Sequence, residues 1–140
     1  VEFNAIRYAF YDIRHWVSQR AGVKNLGLTK EIVGEEYDRC VHKRYESRFS
    51  PYFRIIYTIL NKIKNDTVLT EQDKWYYGNI LRSQLTSYDI MLLAFNGASI
   101  VSKDLFDLIV YFRMLKYVPV GRGKVILEAI YPAAAFEARD

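Results

Sequence analysis

The sequence predicts an all-α fold, and three observations carry that expectation. Apolar residues recur every three or four positions through most of the chain, the spacing that lines one side of a helix. Helix-start signals of the Thr-x-x-Asp kind occur twice, at Thr70 with Asp73 and at Thr86 with Asp89. The run Ile90 to Phe95 is apolar without interruption, so a helix there, turning about 100° per residue, has no face for water and must be wrapped by others. The expected architecture is a single bundle of about six helices around that buried one, with an irregular C-terminal segment.

The first helix is expected over Phe3 to Arg20, with Phe3, Ile6, Phe10, Ile13 and Val17 on its core side. Tyr8, Tyr11 and His15 fall on a second face, which is either buried in its turn or a contact for another segment or subunit. Gly22, Asn25 and Gly27 mark a break, and Thr29 is a fair N-cap for a second helix running to about Ser47. Its apolar stripe is thin (Val33, Tyr37, Cys40, Val41), and Glu35, Glu36, Asp38 and Arg39 are expected on a wet face. Ser50 followed by Pro51 has the form of a helix start, a hydroxyl at the cap and a proline at the first position. The third helix should therefore run from there to about Asn65, with Phe53, Ile56, Tyr57, Leu60 and Ile63 inward and Arg54 outward.

Thr70 opens the fourth helix, in which Trp75, Gly78, Leu81 and Leu85 share a face with Arg82 among them. Gly78 costs a helix about 1 kcal/mol relative to Ala, which points to another backbone passing close by. The fifth, central helix starts near Ser87 and is expected to end at Gly97. Ser99 or Ser102 can cap a sixth, with Leu105, Leu108, Ile109, Phe112 and Leu115 inward. From Tyr117 the pattern fails, at Pro119, Gly121 and Gly123, and the stretch from Lys124 to Pro132 reads as a short helix or a strand. Phe136 is expected to dock on the body.

A chain of 140 residues fits one domain and can bury roughly two thirds of its unfolded surface. Hydrophobic residues at 51% and charged residues at 26% exclude a disordered chain. The single cysteine, Cys40, cannot form an internal disulfide, which fits a reducing compartment such as the cytoplasm. No apolar run approaches the ~18 residues that span a bilayer. The chain begins at Val1 rather than Met and is expected to be a piece of a longer protein. A net charge of +4, with basic residues spread along the chain, favours acidic partners only weakly.

Two separated motifs go further. Tyr52-Phe53-Arg54 is followed by Tyr57, and Asn79-Ile80-Leu81-Arg82 is followed by Gln84-Leu85 and an apolar run that ends at Asn96. Together with the helix from Leu105 to Tyr117, these stretches resemble the putative phage abortive infection protein family of bacteria, over about half of the chain. Ser83, Asp89 and Phe95 stand where the family often has Ala, Glu and Tyr. The resemblance implies a role in antiphage defence, in which an infected cell stops growing or dies before progeny mature. It also implies membrane-spanning helices upstream of this chain, and so an inner-membrane association of the intact protein. It supplies no reaction.

The residues offer no catalytic signature. Abortive infection ribonucleases of the HEPN type carry an Arg four to six residues before a His, and neither His15 nor His42 has one at that spacing. Cys40 and His42 would lie on nearly opposite sides of a helix, so Cys40 reads as a small core residue. Two distant His and one Cys make no zinc-type spacing, and Gly121-Arg122-Gly123-Lys124 lacks the rest of a phosphate loop. No metal or cofactor is expected. Arg82, set in an apolar face, needs a partner, with Asp89, Asp73 or a Tyr hydroxyl as candidates, a structural ion pair with Asp89 as one reading and a buried anion site as the functional alternative. Tyr52, Arg54, Tyr57, Arg82, Gln84 and Asn96 are the expected contact residues.

The function expected is a non-catalytic sensing or interaction domain of an abortive infection protein, with a phage or host protein as partner. The alternatives are an RNA-binding or RNA-cleaving toxin, favoured by the basic balance, and an oligomerisation module, favoured by Tyr8, Tyr11 and His15.

Overall fold

The computed structural model describes the backbone of residues 3–23 and 27–138, and their side chains except at 3, 23 and 46–48. The expectations for Asn25, and for the side chains of Phe3 and Ser47, lie outside the described residues. Seven α-helices and no strand are present among the described residues: α1 (Phe3–Val23), α2 (Lys30–Tyr37), α3 (Lys43–Lys64), α4 (Glu71–Ser83), α5 (Ser87–Gly97), α6 (Lys103–Tyr111) and α7 (Arg122–Ile130). Short 3₁₀ turns at Ile100–Ser102 and Ala133–Phe136 complete the fold.

α5 is the centre. Ile90 to Phe95 and Gly97 are all buried, and α1, α2, α6 and α7 pack around them. Its start is held by the expected box: the Asp89 N–H donates to the Thr86 hydroxyl at 3.1 Å, and the Thr86 N–H donates to the Asp89 carboxylate at 2.9 Å. Thr70 and Asp73 do the same for α4 at 3.1 and 3.4 Å. Gly97 is the last residue of α5 and makes room rather than a turn: a methyl added there would meet the Tyr131 hydroxyl at 2.6 Å. That hydroxyl donates to the Ala94 carbonyl at 2.6 Å, and the Tyr131 ring stacks on Phe106 at 4.2 Å.

The largest departure from expectation lies between Lys30 and Lys64, where one helical path replaces two separate helices. α2 passes into a π-helical segment, Asp38–His42, in which the Lys43 N–H reaches back five residues to the Asp38 carbonyl. α3 follows directly, and Pro51 lies inside it instead of starting it. An interior proline costs a helix about 3 kcal/mol. Phe49, Phe53, Ile56 and Leu60 are all buried along one face, and keeping that stripe on the core outweighs the lost bond.

Two smaller corrections follow the same logic. Glu36, expected in water, is buried at 7% exposure because Arg39 meets it at 2.6 Å and Arg20 of α1 at 3.5 Å. The ambiguous C-terminal stretch is a helix, α7, and α6 ends at Tyr111 rather than Tyr117. Its end is a Schellman turn: Met114 N–H donates to Ile109 O and Arg113 N–H to Val110 O, both at 3.1 Å. Arg113 takes the left-handed position, φ 50°, where glycine is usual. Its guanidinium repays the strain by lying over Trp75 and donating to the Ala138 carbonyl, which ties down the C-terminal end.

Candidate functional site

α3 and the turn between α5 and α6 enclose a cleft of about 440 Å³. Buried rings, Phe49, Phe53 and Tyr37, form its floor with Leu105. Half-buried Tyr45 and Tyr57 flank it, Tyr45 stacked on Phe49 with centroids 5.1 Å apart. The far rim is the 3₁₀ turn Ile100–Ser102, whose Ile100 and Val101 are 89% and 74% exposed.

That rim is pinned at both ends. The Ser99 hydroxyl donates to the Asp38 carboxylate at 2.9 and 3.1 Å, which ties the turn to the π-helical segment. The Ser102 hydroxyl donates to Asn96 Oδ1 at 3.0 Å, which orients the Asn96 amide at the cleft wall. Beneath, Gly34 of α2 lets the Ala98 carbonyl approach closely; a methyl there would lie 2.8 Å from the Ala98 carbonyl carbon.

The charge at the opening is uneven. Exposed Arg54 and Lys103 face one carboxylate, Asp104, and among the described residues neither cation has an ion pair. A cation left without a partner beside apolar walls is available to a ligand anion.

Three of the expected contact residues, Arg54, Tyr57 and Asn96, come together here, although they belong to two motifs about forty residues apart in the chain. The others do not. Tyr52 is half-buried elsewhere, its hydroxyl pushed up to about 12 by burial and then by the neighbouring Asp89 carboxylate. Gln84 caps the exposed end of α4. Arg82 lies over the Tyr117 ring at 4.7 Å. Among the described residues Arg82 and Asp89 form no ion pair; the Asp89 carboxylate accepts from the Thr86 N–H at 2.9 Å. Tyr8 is 62% exposed and His15 is exposed with its ring edge on Trp16, while Tyr11 turns to Tyr88, the two hydroxyls 3.1 Å apart.

Lys103, Asp104, Tyr45 and Tyr37 were not expected in a site. Nothing local marks them, since only the approach of α6 to α3 brings them to one opening. Cys40 is buried as expected, and burial pushes its thiol up to about 11, so it stays neutral near pH 7. Among the described residues no three His, Cys, Asp or Glu side chains gather as a metal cage requires. No described helix is long and apolar enough to cross a membrane.

These features define an all-α bundle protein with a partly cationic, aromatic-floored cleft. The sequence model of the putative phage abortive infection protein family matches residues 44–122, more than half of the chain. The chain belongs to that family, and membership supports a role in phage defence. The matched span holds α3 to α6 and nearly all of the cleft lining. No curated protein and no solved structure matches the chain.

Proposed function

We propose that this chain is a non-catalytic sensing or interaction domain of an antiphage abortive infection protein, and that the cleft between α3 and the α5–α6 turn receives its trigger. The observation that carries this reading is the convergence of Arg54, Tyr57 and Asn96 on one opening. Residues that serve only packing would sit in the core, whereas Arg54 is exposed and has no ion pair among the described residues. Growth arrest is then carried by a partner that reads the occupied cleft. Exposed Ile100 and Val101 on the rim offer that partner an apolar contact next to the ligand.

The test is phage plating on cells carrying the intact gene, with soluble protein levels checked for each variant. Arg54→Ala should abolish protection while the protein stays folded, and Arg82→Ala, away from the cleft, should keep it. Full protection by Arg54→Ala would remove the cleft from the defence mechanism.

A further inference from the structure

We infer that the ligand of this cleft is a nucleoside phosphate, an inference that rests on reading the cleft as the receiving site. The opening, about 440 Å³, lies within the usual range of small-molecule sites. Its composition separates into two zones. The interior is aromatic, with Phe53 in the floor and Tyr57 at the side, and aromatic rings stack any base. The mouth is cationic, with Arg54 and Lys103 free of ion pairs among the described residues, and the planar fork of an arginine matches two phosphate oxygens at once.

Two polar groups of the lining fit the same class. Asn96 Oδ1 already accepts from Ser102, which leaves the Asn96 amide N–H free to donate to an acceptor on a base edge. Asp104 at the mouth is an acceptor, which repels phosphate but suits the hydroxyls of a ribose. A fatty acid would use the cations and leave Asn96 and Asp104 idle. A bare phosphate would leave the aromatic interior idle. A nucleoside phosphate uses all four.

The test is titration calorimetry on the full chain with ATP and GTP, beside adenosine, guanosine, inorganic phosphate and a 5′-phosphorylated RNA tetranucleotide. At least one nucleotide should bind saturably, with its nucleoside about tenfold weaker or more. Lys103→Ala and Arg54→Ala, both surface changes that leave the fold intact, should each weaken nucleotide binding about tenfold and flatten its salt dependence. Tyr57→Leu should weaken the nucleotide by about tenfold and leave any binding of inorganic phosphate unchanged. Tighter binding of the tetranucleotide would support the same chemistry and assign its source to an RNA end.

No saturable nucleotide or tetranucleotide binding by the folded chain would overturn the inference, as would binding indifferent to both Arg54→Ala and Tyr57→Leu. The plating assay separates this outcome from failure of the underlying reading. Loss of protection in Arg54→Ala without nucleotide binding in wild type overturns the ligand class alone. Loss of binding with protection intact overturns the role of the cleft and leaves the ligand class standing.

Discussion

Gly34→Ala is the change that most directly tests how the cleft rim is held. An added methyl would press on the Ala98 carbonyl oxygen, lie 2.8 Å from its carbon and 3.1 Å from Ser99 Cα. All three are backbone atoms of the turn leaving α5, so no side chain can swing aside. Overpacking costs about 1–3 kcal/mol, and a backbone obstacle belongs at the upper end. The better helix propensity of Ala returns about 1 kcal/mol. The net loss is about 2 kcal/mol, or about 6 °C in Tm for a chain of this size. Gly22 supplies the control: it lies in α1 with nothing within 4 Å of an added methyl. Gly22→Ala should therefore raise stability by about 0.5–1 kcal/mol. Urea unfolding followed by circular dichroism reads both variants. Equal stabilisation by the two substitutions would refute the close approach of α2 to the turn, and with it the account of what fixes the rim.

Other outcomes follow from the same geometry. Glu36→Ala removes a buried carboxylate, but Arg39 is 53% exposed and Arg20 keeps Glu35 at 2.6 Å, so the cost in urea unfolding should be about 1–2 kcal/mol. Arg82→Ala removes a cation lying over Tyr117 and should cost about 1 kcal/mol, far less than the 3–5 kcal/mol of a broken buried pair. Asp66 accepts from the backbone N–H groups of Leu69 and Val68, both at 2.8 Å, and these bonds hold its carboxyl below the usual value. A carboxyl depressed in the folded state stabilises above its unfolded value, about 4, and that contribution disappears as pH falls through the folded value. Asp66→Ala should accordingly lower Tm near neutral pH, with the gap to wild type closing in acid.

What could be read from the sequence was local. The boxes at Thr70–Asp73 and Thr86–Asp89 need only residues three apart, and both form. The buried stripe of α6 and the fully apolar centre of α5 follow from periodicity alone. Where two local rules competed with distant contacts, the distant contacts won. Ser50-Pro51 has every mark of a helix start, yet Phe49 just before it must reach the core, and a continuous helix brings it there. Glu36 looks solvated until Arg20, sixteen residues earlier, arrives from α1. The candidate site divides the same way. Arg54, Tyr57 and Asn96 were legible as motif residues, but their meeting depends on the packing of α3 beside the α5–α6 turn, which no spacing encodes. Arg82 lies over the ring of Tyr117, thirty-five residues on, and no spacing singles out that tyrosine among the twelve.

The π-helical segment at Asp38–His42 works as a phase adjuster. A π turn holds one residue more than an α turn, and each α-helical residue advances the direction of the side chains by about 100°. The π turn therefore absorbs one extra residue, so that Val33 and Tyr37 face the core on one side of the segment and Phe49 and Phe53 still face it on the other. The family match begins at residue 44, just past it. The adjuster thus stands at the seam between the family-matched helices and the two that precede them. Forcing the segment into regular α-helix with all of its residues kept would advance every later side chain by about 100° and turn the cleft wall away from its own floor, whereas deleting one residue would keep the phase.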